Sequence, residues 1–500
     1  MKKNEDLEAK LLVNNDNEPP SPGTKDAAAG NTYSLLCALL ASLASIIYGY
    51  NRGVMSGAQK YVQADLGVSD GQLEVLIGLT SVYSLVGSLA AGWACDRAGR
   101  RRTVAFSAAM FLAGSVVTAA ADGYAVLMVG QLLAGVACGF GLVVVPVYIA
   151  EIAPAASRGF LSSIPEIAIN LGILLSYIAD FALAGLPKTL NWRLMIGIGA
   201  APPLFLVASA MLVMPETPRW LVLHGHPNEA RHVLSRTVGD DTADHRLQEI
   251  VASVKSKQAG GANGPSSKSV WHEILLRPTA AVRRVMLLIL GLQFLQQASG
   301  VAALLLYAPR VFGHVGITSE HAVLGATILV GASKALFTLI PLFLADRLGR
   351  RPILLASAGG MAASLLVLGL SLRSSTATWW AAATCVAAAA TFMATFSLGF
   401  GPVIWIYQSE VLPLRLRAQG TGVGTALNRM LSAVVGMTFI SMYKAVGMAG
   451  SFYIFAAFSA MAWVFVYVCL PETKGKSLEE MKALFDGSAG RNNPQVPSLS

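Results

Sequence analysis

The 500-residue chain carries 37 Lys and Arg against 28 Asp and Glu, a net charge of +9, and is 54% hydrophobic with only 13% charged residues. A soluble protein carries about 25% charged residues, so a set of soluble domains is excluded. A nucleic-acid role for the basic charge is excluded too: Lys and Arg fall between apolar blocks of about 20 residues, where the positive-inside rule puts them.

Residues 1–33 form a polar tail with Pro19, Pro20 and Pro22 and no h-region, so no cleavable signal peptide is expected and the first apolar block directs insertion. Twelve spans are predicted. The first six are Ser34–Met55, Leu73–Cys95, Thr103–Ala121, Ala125–Val147, Phe160–Ala184 and Leu194–Met214, an N-terminal half over 34–214. A polar central stretch follows over 215–284. Within it, Lys255–Ser269 reads as a flexible linker, and Asn228–Ser235 and Val270–Leu276 as short amphipathic helices at the membrane surface. The C-terminal half, 285–470, holds Val285–Tyr307, Ala322–Ala345, Ile353–Leu372, Trp379–Ile406, Gly420–Tyr443 and Phe452–Leu470, before a tail over 471–500. Cys37, Cys95, Cys138, Cys385 and Cys469 sit in or beside apolar blocks, at spacings that suggest neither a disulfide framework nor a metal site.

Basic residues cluster in the loops after spans 2, 4, 8 and 10 and in the central stretch. Both termini are therefore expected to be cytoplasmic. No Asn-x-Ser/Thr sequon occurs. The same loops reveal a duplication. Asp96, Arg97, Gly99, Arg100 and Arg101 return as Asp346, Arg347, Gly349, Arg350 and Arg351. Glu151 with Arg158 returns as Glu410 with Arg417, and Pro215-Glu216-Thr217 as Pro471-Glu472-Thr473. Three landmarks in one order, offset by 250 to 260 residues, mean two similar halves. Positive-inside explains the arginines but not the acids beside them. Asp96, Arg97, Arg101, Glu151, Arg158 and Glu216, with Asp346, Arg347, Arg351, Glu410, Arg417 and Glu472, are expected to form a gating belt of ion pairs at the inner ends of the spans.

Twelve spans, the doubled D-R-x-G-R-R, P-E-T-P-R-W after span 6 and P-E-T-K-G-K after span 12 resemble the sugar-porter branch of the major facilitator superfamily. Pro165-Glu166 with Asn170, Gln296 to Gly300, and Asn428-Arg429 are most similar to plant polyol and monosaccharide transporters. The resemblance implies an all-α membrane protein: twelve transmembrane helices in two six-helix repeats, the major facilitator fold, around a cavity that opens alternately to each side. It implies transport of a monosaccharide or polyol, with proton symport as the family default. The plasma membrane is the expected location.

A hydroxylated substrate offers no charge to grip, so its site needs amides, hydroxyls and an aromatic face. Span 7 supplies Gln293, Gln296 and Gln297 at helical neighbour spacing, with Tyr307 further along. By resemblance, Gln296 and Gln297 bind the sugar, Trp405 is its aromatic platform and Asn428 a further contact. By residue chemistry alone the glutamines also read as interhelical hydrogen bonds, and the tryptophan as an interfacial anchor. Glu166, inside span 5, is a candidate for substrate hydroxyls, for a proton, or for both, with Lys334 of span 8 as a partner. The sequence departs from proton-coupled relatives at Asn51 and Gln131, where they carry an aspartate and an arginine; amides cannot titrate. Ala302 replaces a polar residue, and Arg52 has no counterpart in the resemblance. Facilitated diffusion is therefore the alternative to symport, and a non-transporting sugar sensor a second one. No nucleophile–base set, phosphate loop or metal cluster is found, so no enzyme activity, metal or cofactor is expected. The expected partners are a sugar or polyol, protons and the lipid bilayer.

Overall fold

The computed structural model describes residues 24–154, 157–260, 278–373, 379–412 and 416–474. All regular structure among the described residues is helical, as hydrocarbon demands of a backbone that has no water to bond. In the N-terminal half, spans 1 to 5 are Thr24–Leu66, Asp70–Ala98, Arg100–Ala119, Tyr124–Ile152 and Arg158–Leu183; span 6 is Lys188–Ile198 with Ala201–Leu212. In the C-terminal half, span 7 is Ala280–Ala298 with Val301–His314, span 8 Glu320–Phe337 with Pro341–Leu348, and span 9 Arg350–Arg373. Span 10 is Trp379–Leu398 with Val403–Val411, span 11 Arg417–Val446 and span 12 Met448–Cys469. Eleven of these are long and apolar enough to cross a bilayer by themselves. Span 8 is the twelfth: it opens on Glu320-His321, contains Lys334 and breaks at 338–340.

The helices outrun the predicted spans, most of all span 1, because polar residues flanking an apolar block extend its helix beyond the hydrocarbon. The central stretch departs further from expectation. Asn228–Ser235 lies within Pro227–Val238, but this helix does not stand alone at a surface: Ala230, Val233 and Leu234 pack with Leu221, Ala243 and Leu247 in a small core of three helices. The predicted linker begins inside one of them, since Asp240–Gly260 is continuous helix. Val270–Leu276 lies outside the described residues.

Spans 1 and 5 approach backbone to backbone. Gly49, Gly53 and Gly57 repeat every four residues, and an added Cβ would lie 2.0 Å from the Ile169 carbonyl, 2.0 Å from Ser176 Oγ and 2.5 Å from the Asp180 carboxyl. Small residues in register are what allow such packing. Exposed apolar side chains such as Leu89, Leu212 and Val468 ring the outside, where lipid covers them.

The core is asymmetric along the membrane normal. One cluster (Cys37 to Met214) fills the N-terminal half toward the end that bears the repeated arginines, here the motif end. A larger cluster runs from Tyr50, Val54, Tyr61 and Leu73 straight into Val301, Leu304, Tyr307 and Phe439 of the other half. Among the described residues the halves share one apolar core, toward the opposite end.

Candidate functional site

At the motif end the duplicated residues build the same circuit twice. Gly99 and Gly349, both at φ 93°, turn the chain from span 2 into span 3 and from span 8 into span 9. A side chain at either position would meet a carboxylate, Glu216 Oε2 at 2.3 Å or Glu472 Oε2 at 2.8 Å. Those carboxylates accept from the first N–H groups of the next helix: Arg100 N to Glu216 Oε1 2.9 Å and Arg101 N to Oε2 3.2 Å, with Arg350 N and Arg351 N to Glu472 at 3.0 Å. An acid 116 residues away in sequence thus caps span 3, as a negative group at a helix N-terminus should. The neighbouring threonines hold the next acid: Thr217 Oγ1 donates to Glu151 and Thr473 Oγ1 to Glu410, each at 2.7 Å. Burial pushes the Glu216 carboxyl up despite its backbone bonds. Burial also acts on Glu472, but bonds from Lys474, Arg350, Arg351 and Thr473 outweigh it and hold that carboxyl below its ordinary value.

The arginines divide in a way the sequence did not indicate. The ion pairs to Glu151 and Glu410 come from Arg100 (3.0 Å) and Arg350 (2.7 Å). Arg101 and Arg351 instead donate to the last carbonyls of spans 6 and 12, Ala210 (2.7 Å) and Tyr467 (2.6 Å). Asp96 is exposed, 3.6 Å from Arg100. Arg97 lies over the Trp93 ring, Arg347 is exposed, and Arg158 reaches the Ala153 carbonyl at 3.4 Å. The side chains of Asp346 and Arg417 lie outside the described residues. Every one of these contacts stays within its own half.

Contacts between halves lie elsewhere. Toward the opposite end, Asp70 of span 2 meets Arg310 of span 7 (3.2 Å) and Lys444 of span 11 (2.5 Å). Glu320 of span 8 meets Lys60 (3.1 Å) and the Tyr61 hydroxyl (2.8 Å) of span 1. Glu74, a buried acid the sequence reading passed over, accepts from Ser441 N (2.9 Å) and Oγ (2.7 Å).

Between the two ends, spans 7 and 10 break, at 299–300 and at 399–402. Broken helices leave carbonyls unpaired, and Gln296 uses two of them, donating to Phe400 O and, at 3.4 Å, to Gly401 O. Its own carbonyl accepts from Asn428 Nδ2 at 2.6 Å, and that of Gln293 from the same nitrogen at 2.8 Å. Gln293 Nε2 donates to Gln408 Oε1 (2.6 Å), and Gln297 Nε2 to Asn428 Oδ1 (3.2 Å). All five amides are buried, and Gln297 Oε1 has no partner. Gln408 is the member that sequence reasoning missed; a glutamine three residues past Trp405 in the same apolar span was the available signal. Trp405 stands half-buried one turn before it. Tyr307 is not brought into this cluster: its hydroxyl donates to Gly436 O (2.7 Å) and its ring stacks on Phe439.

Glu166 and Lys334 make no direct ion pair. Asn170 stands between them, accepting from Lys334 Nζ and donating to Glu166 Oε1 (3.4 Å), to the Glu166 carbonyl (2.9 Å) and to Thr338 Oγ1 (3.2 Å). Gln131 accepts from Thr80 Oγ1 at 3.2 Å; among the described residues no bond joins it to Asn51, whose Oδ1 is buried and unpartnered.

Residues 37–485 match the family model described as sugar (and other) transporter. Polyol transporter 5 of Arabidopsis thaliana is 44% identical over 93% of this chain and 89% of its own length. The glucose transporter GlcP of Staphylococcus epidermidis is 30% identical over 89% and 95%. Among solved structures, the inward-open xylose transporter XylE from E. coli matches with a TM-score of 0.75 at 26% identity, over 90% of this chain and 99% of that one. The proton:xylose symporter XylE bound to 6-bromo-6-deoxy-D-glucose matches at 0.72 and 27%, over 91% and 99%. With twelve spans in two repeats among the described residues, its doubled charge circuits and a family match across nearly its whole length, the chain belongs to the sugar (and other) transporter family of the major facilitator superfamily.

Proposed function

We propose that the chain carries a small polyhydroxylated solute, a monosaccharide or polyol, across the membrane by alternating access. The buried amide cluster carries this reading. It offers donors and acceptors at fixed spacing with no charge and no reacting group, which suits hydroxyls. A buried acceptor without a partner is costly, and a substrate hydroxyl would satisfy Gln297 Oε1. Gln293, Gln296, Gln297 and Asn428 bind the solute in this account, Trp405 lies beside it, and Gln408 positions Gln293. The names of the polyol, glucose and xylose transporters above support the same class of solute.

Residues 34–214 and 285–470 are the two moving bodies, with the motif end, both termini and the 215–284 stretch cytoplasmic, in the plasma membrane. Contacts between halves at the opposite end, and none at the motif end among the described residues, support an inward-open state. In the outward-open state the repeated charges meet across the midline and close the cytoplasmic mouth. Coupling is proton symport, as in the xylose symporter, with Glu166, linked to Lys334 through Asn170, as the coupling group. A second reading, facilitated diffusion, is favoured by Asn51 and Gln131, which cannot take or release a proton. Uptake of labelled hexoses and polyols into transport-deficient cells, with and without a protonophore, separates the two. Under symport the protonophore abolishes accumulation, and Glu166→Gln keeps exchange but loses accumulation. Accumulation that survives Glu166→Gln rejects Glu166 as the coupling group.

A further inference from the structure

The amide cluster leaves the charge in the middle of the molecule unexplained. Arg52 of span 1 and Arg429 of span 11, one from each half, both donate to the Tyr48 hydroxyl, Arg52 at 3.0 Å. Both guanidinium carbons also lie over the Tyr48 ring, 5.9 and 5.4 Å from its centroid. The second hydrogen bond of Arg52 goes to Ser432 Oγ at 3.0 Å. Among the described residues neither arginine has a carboxylate within ion-pair distance, and Arg429 Nε is buried without a partner. The neighbouring acids are engaged elsewhere: Glu166 with Asn170, and Asp180 with the Gly57 N–H at 3.1 Å. Lys334 adds a third cation to the same layer. A single hydroxyl shared by two guanidiniums leaves most of their donors without an acceptor, and ionised side chains at membrane depth pair or mark a substrate path.

A cleft opens beside Arg52, lined by Tyr48, Asn51, Arg52, Thr80, Ser81 and Ser84 among others. An aspartate at position 51 would have neutralised Arg52 from within. Asn51 instead leaves the wall positive and adds a free acceptor, its Oδ1, for a hydroxyl.

We propose that the two guanidiniums gathered on Tyr48, Arg52 and Arg429, take the carboxylate of a polyhydroxylated acid, an aldonate or uronate, with its hydroxyls extending toward the amide cluster. The assignment rests on the carrier reading above and narrows its substrate class. Planar guanidiniums match a carboxylate through paired, charge-assisted hydrogen bonds. Because the two arginines belong to different halves, a carboxylate between them also draws the halves together, so that the cavity closes on a charged solute and less readily on a neutral one.

The test uses the full chain in proteoliposomes, with uptake of labelled gluconate, glucuronate, sorbitol, glucose and glucose 6-phosphate. Gluconate or glucuronate is expected to enter at least tenfold faster than sorbitol. Arg52→Gln should lower the acid-to-polyol ratio at least tenfold, and Arg52→Lys should restore part of it. Asn51→Asp, which sets an internal carboxylate beside Arg52, should lower the same ratio without removing either arginine, and keeps the test informative should Arg52→Gln fold poorly. Uptake of sorbitol or glucose without either acid overturns the proposal and leaves the carrier reading standing. Preference for glucose 6-phosphate overturns the carboxylate assignment. An acid-to-polyol ratio unmoved by both substitutions overturns the role of Arg52. Failure of every solute to enter overturns the carrier reading itself.

Discussion

Gly99→Ala is expected to destabilise the protein well beyond the cost of its backbone angle. Two terms add. The first is a side chain at φ 93° and ψ 163°, a region essentially reserved to glycine, which costs about 1–3 kcal/mol. The second belongs to this site: the new Cβ would lie 2.3 Å from Glu216 Oε2, so the carboxylate must leave. Its departure breaks the bonds to Arg100 N and Arg101 N and uncaps span 3. At ~1 kcal/mol for each hydrogen bond, the site-specific excess is about 2 kcal/mol. Gly447→Ala is the internal control, since Gly447 has φ 80° and ψ 159° with nothing within 4 Å of an added Cβ. Thermal unfolding of the two purified variants in one detergent reads the difference directly. Equal shifts in melting temperature for both variants would mean that Glu216 holds nothing together at the start of span 3, and the circuit described here would lose its keystone.

Three further outcomes are expected. Gln408→Ala, which leaves Gln293 Nε2 without its acceptor, should weaken apparent solute affinity about tenfold, and the Gln296→Ala, Gln297→Ala double variant should weaken it further; wild-type affinity in an expressed double variant would move the site elsewhere. Asp70→Asn with Glu320→Gln removes partly exposed pairs that join the halves, worth ~1 kcal/mol each at most; a maleimide applied from the opposite face should then label an introduced Ile77→Cys several times faster, and unchanged labelling would show that these pairs do not hold that end shut. The repeated acids should respond oppositely to acid. Glu472, held below its ordinary value, contributes stability that is present near neutral pH and lost as pH falls through its lowered value, so Glu472→Gln should lower the melting temperature at pH 7 and matter less in acid. Glu216, pushed up by burial, binds its proton more tightly when folded, so the stability it contributes grows as pH falls and Glu216→Gln should cost less at pH 7 than Glu472→Gln; melting curves of the two variants from pH 7 to pH 4 check the contrast.

The spans and their duplication were legible because hydrocarbon thickness and loop charge write themselves into sequence as block length and Lys/Arg placement. Breaks inside spans 7, 8 and 10 were not, since a broken apolar helix keeps the composition of a whole one. Gln293, Gln296, Gln297 and Asn428 stood out as amides where amides are costly, yet which carbonyls they serve depends on how spans 7, 10 and 11 meet. At the charge motifs, residue types were readable and partners were not. Neighbouring arginines are one helical step apart, so Arg100 faces Glu151 while Arg101 points to the end of span 6, and only the turn at Gly99 fixes which does which. Tyr48 gave no signal at all: a tyrosine in an apolar block looks like core until two arginines are found on it.

The charge circuits carry a consequence for how the chain can be divided. Each runs from the turn after the second or eighth span to the residue that follows the sixth or twelfth, and back to the fourth or tenth, without borrowing a group from the other half. A polypeptide severed between Asp240–Gly260 and Ala280–Ala298 therefore separates no donor from its acceptor within either circuit. The two fragments, synthesised independently, have the means to complete their own helix ends before they meet. Their reunion is left to the shared apolar core and to the polar contacts that cross the midline, so fragment complementation is a direct measure of how strongly the halves hold one another.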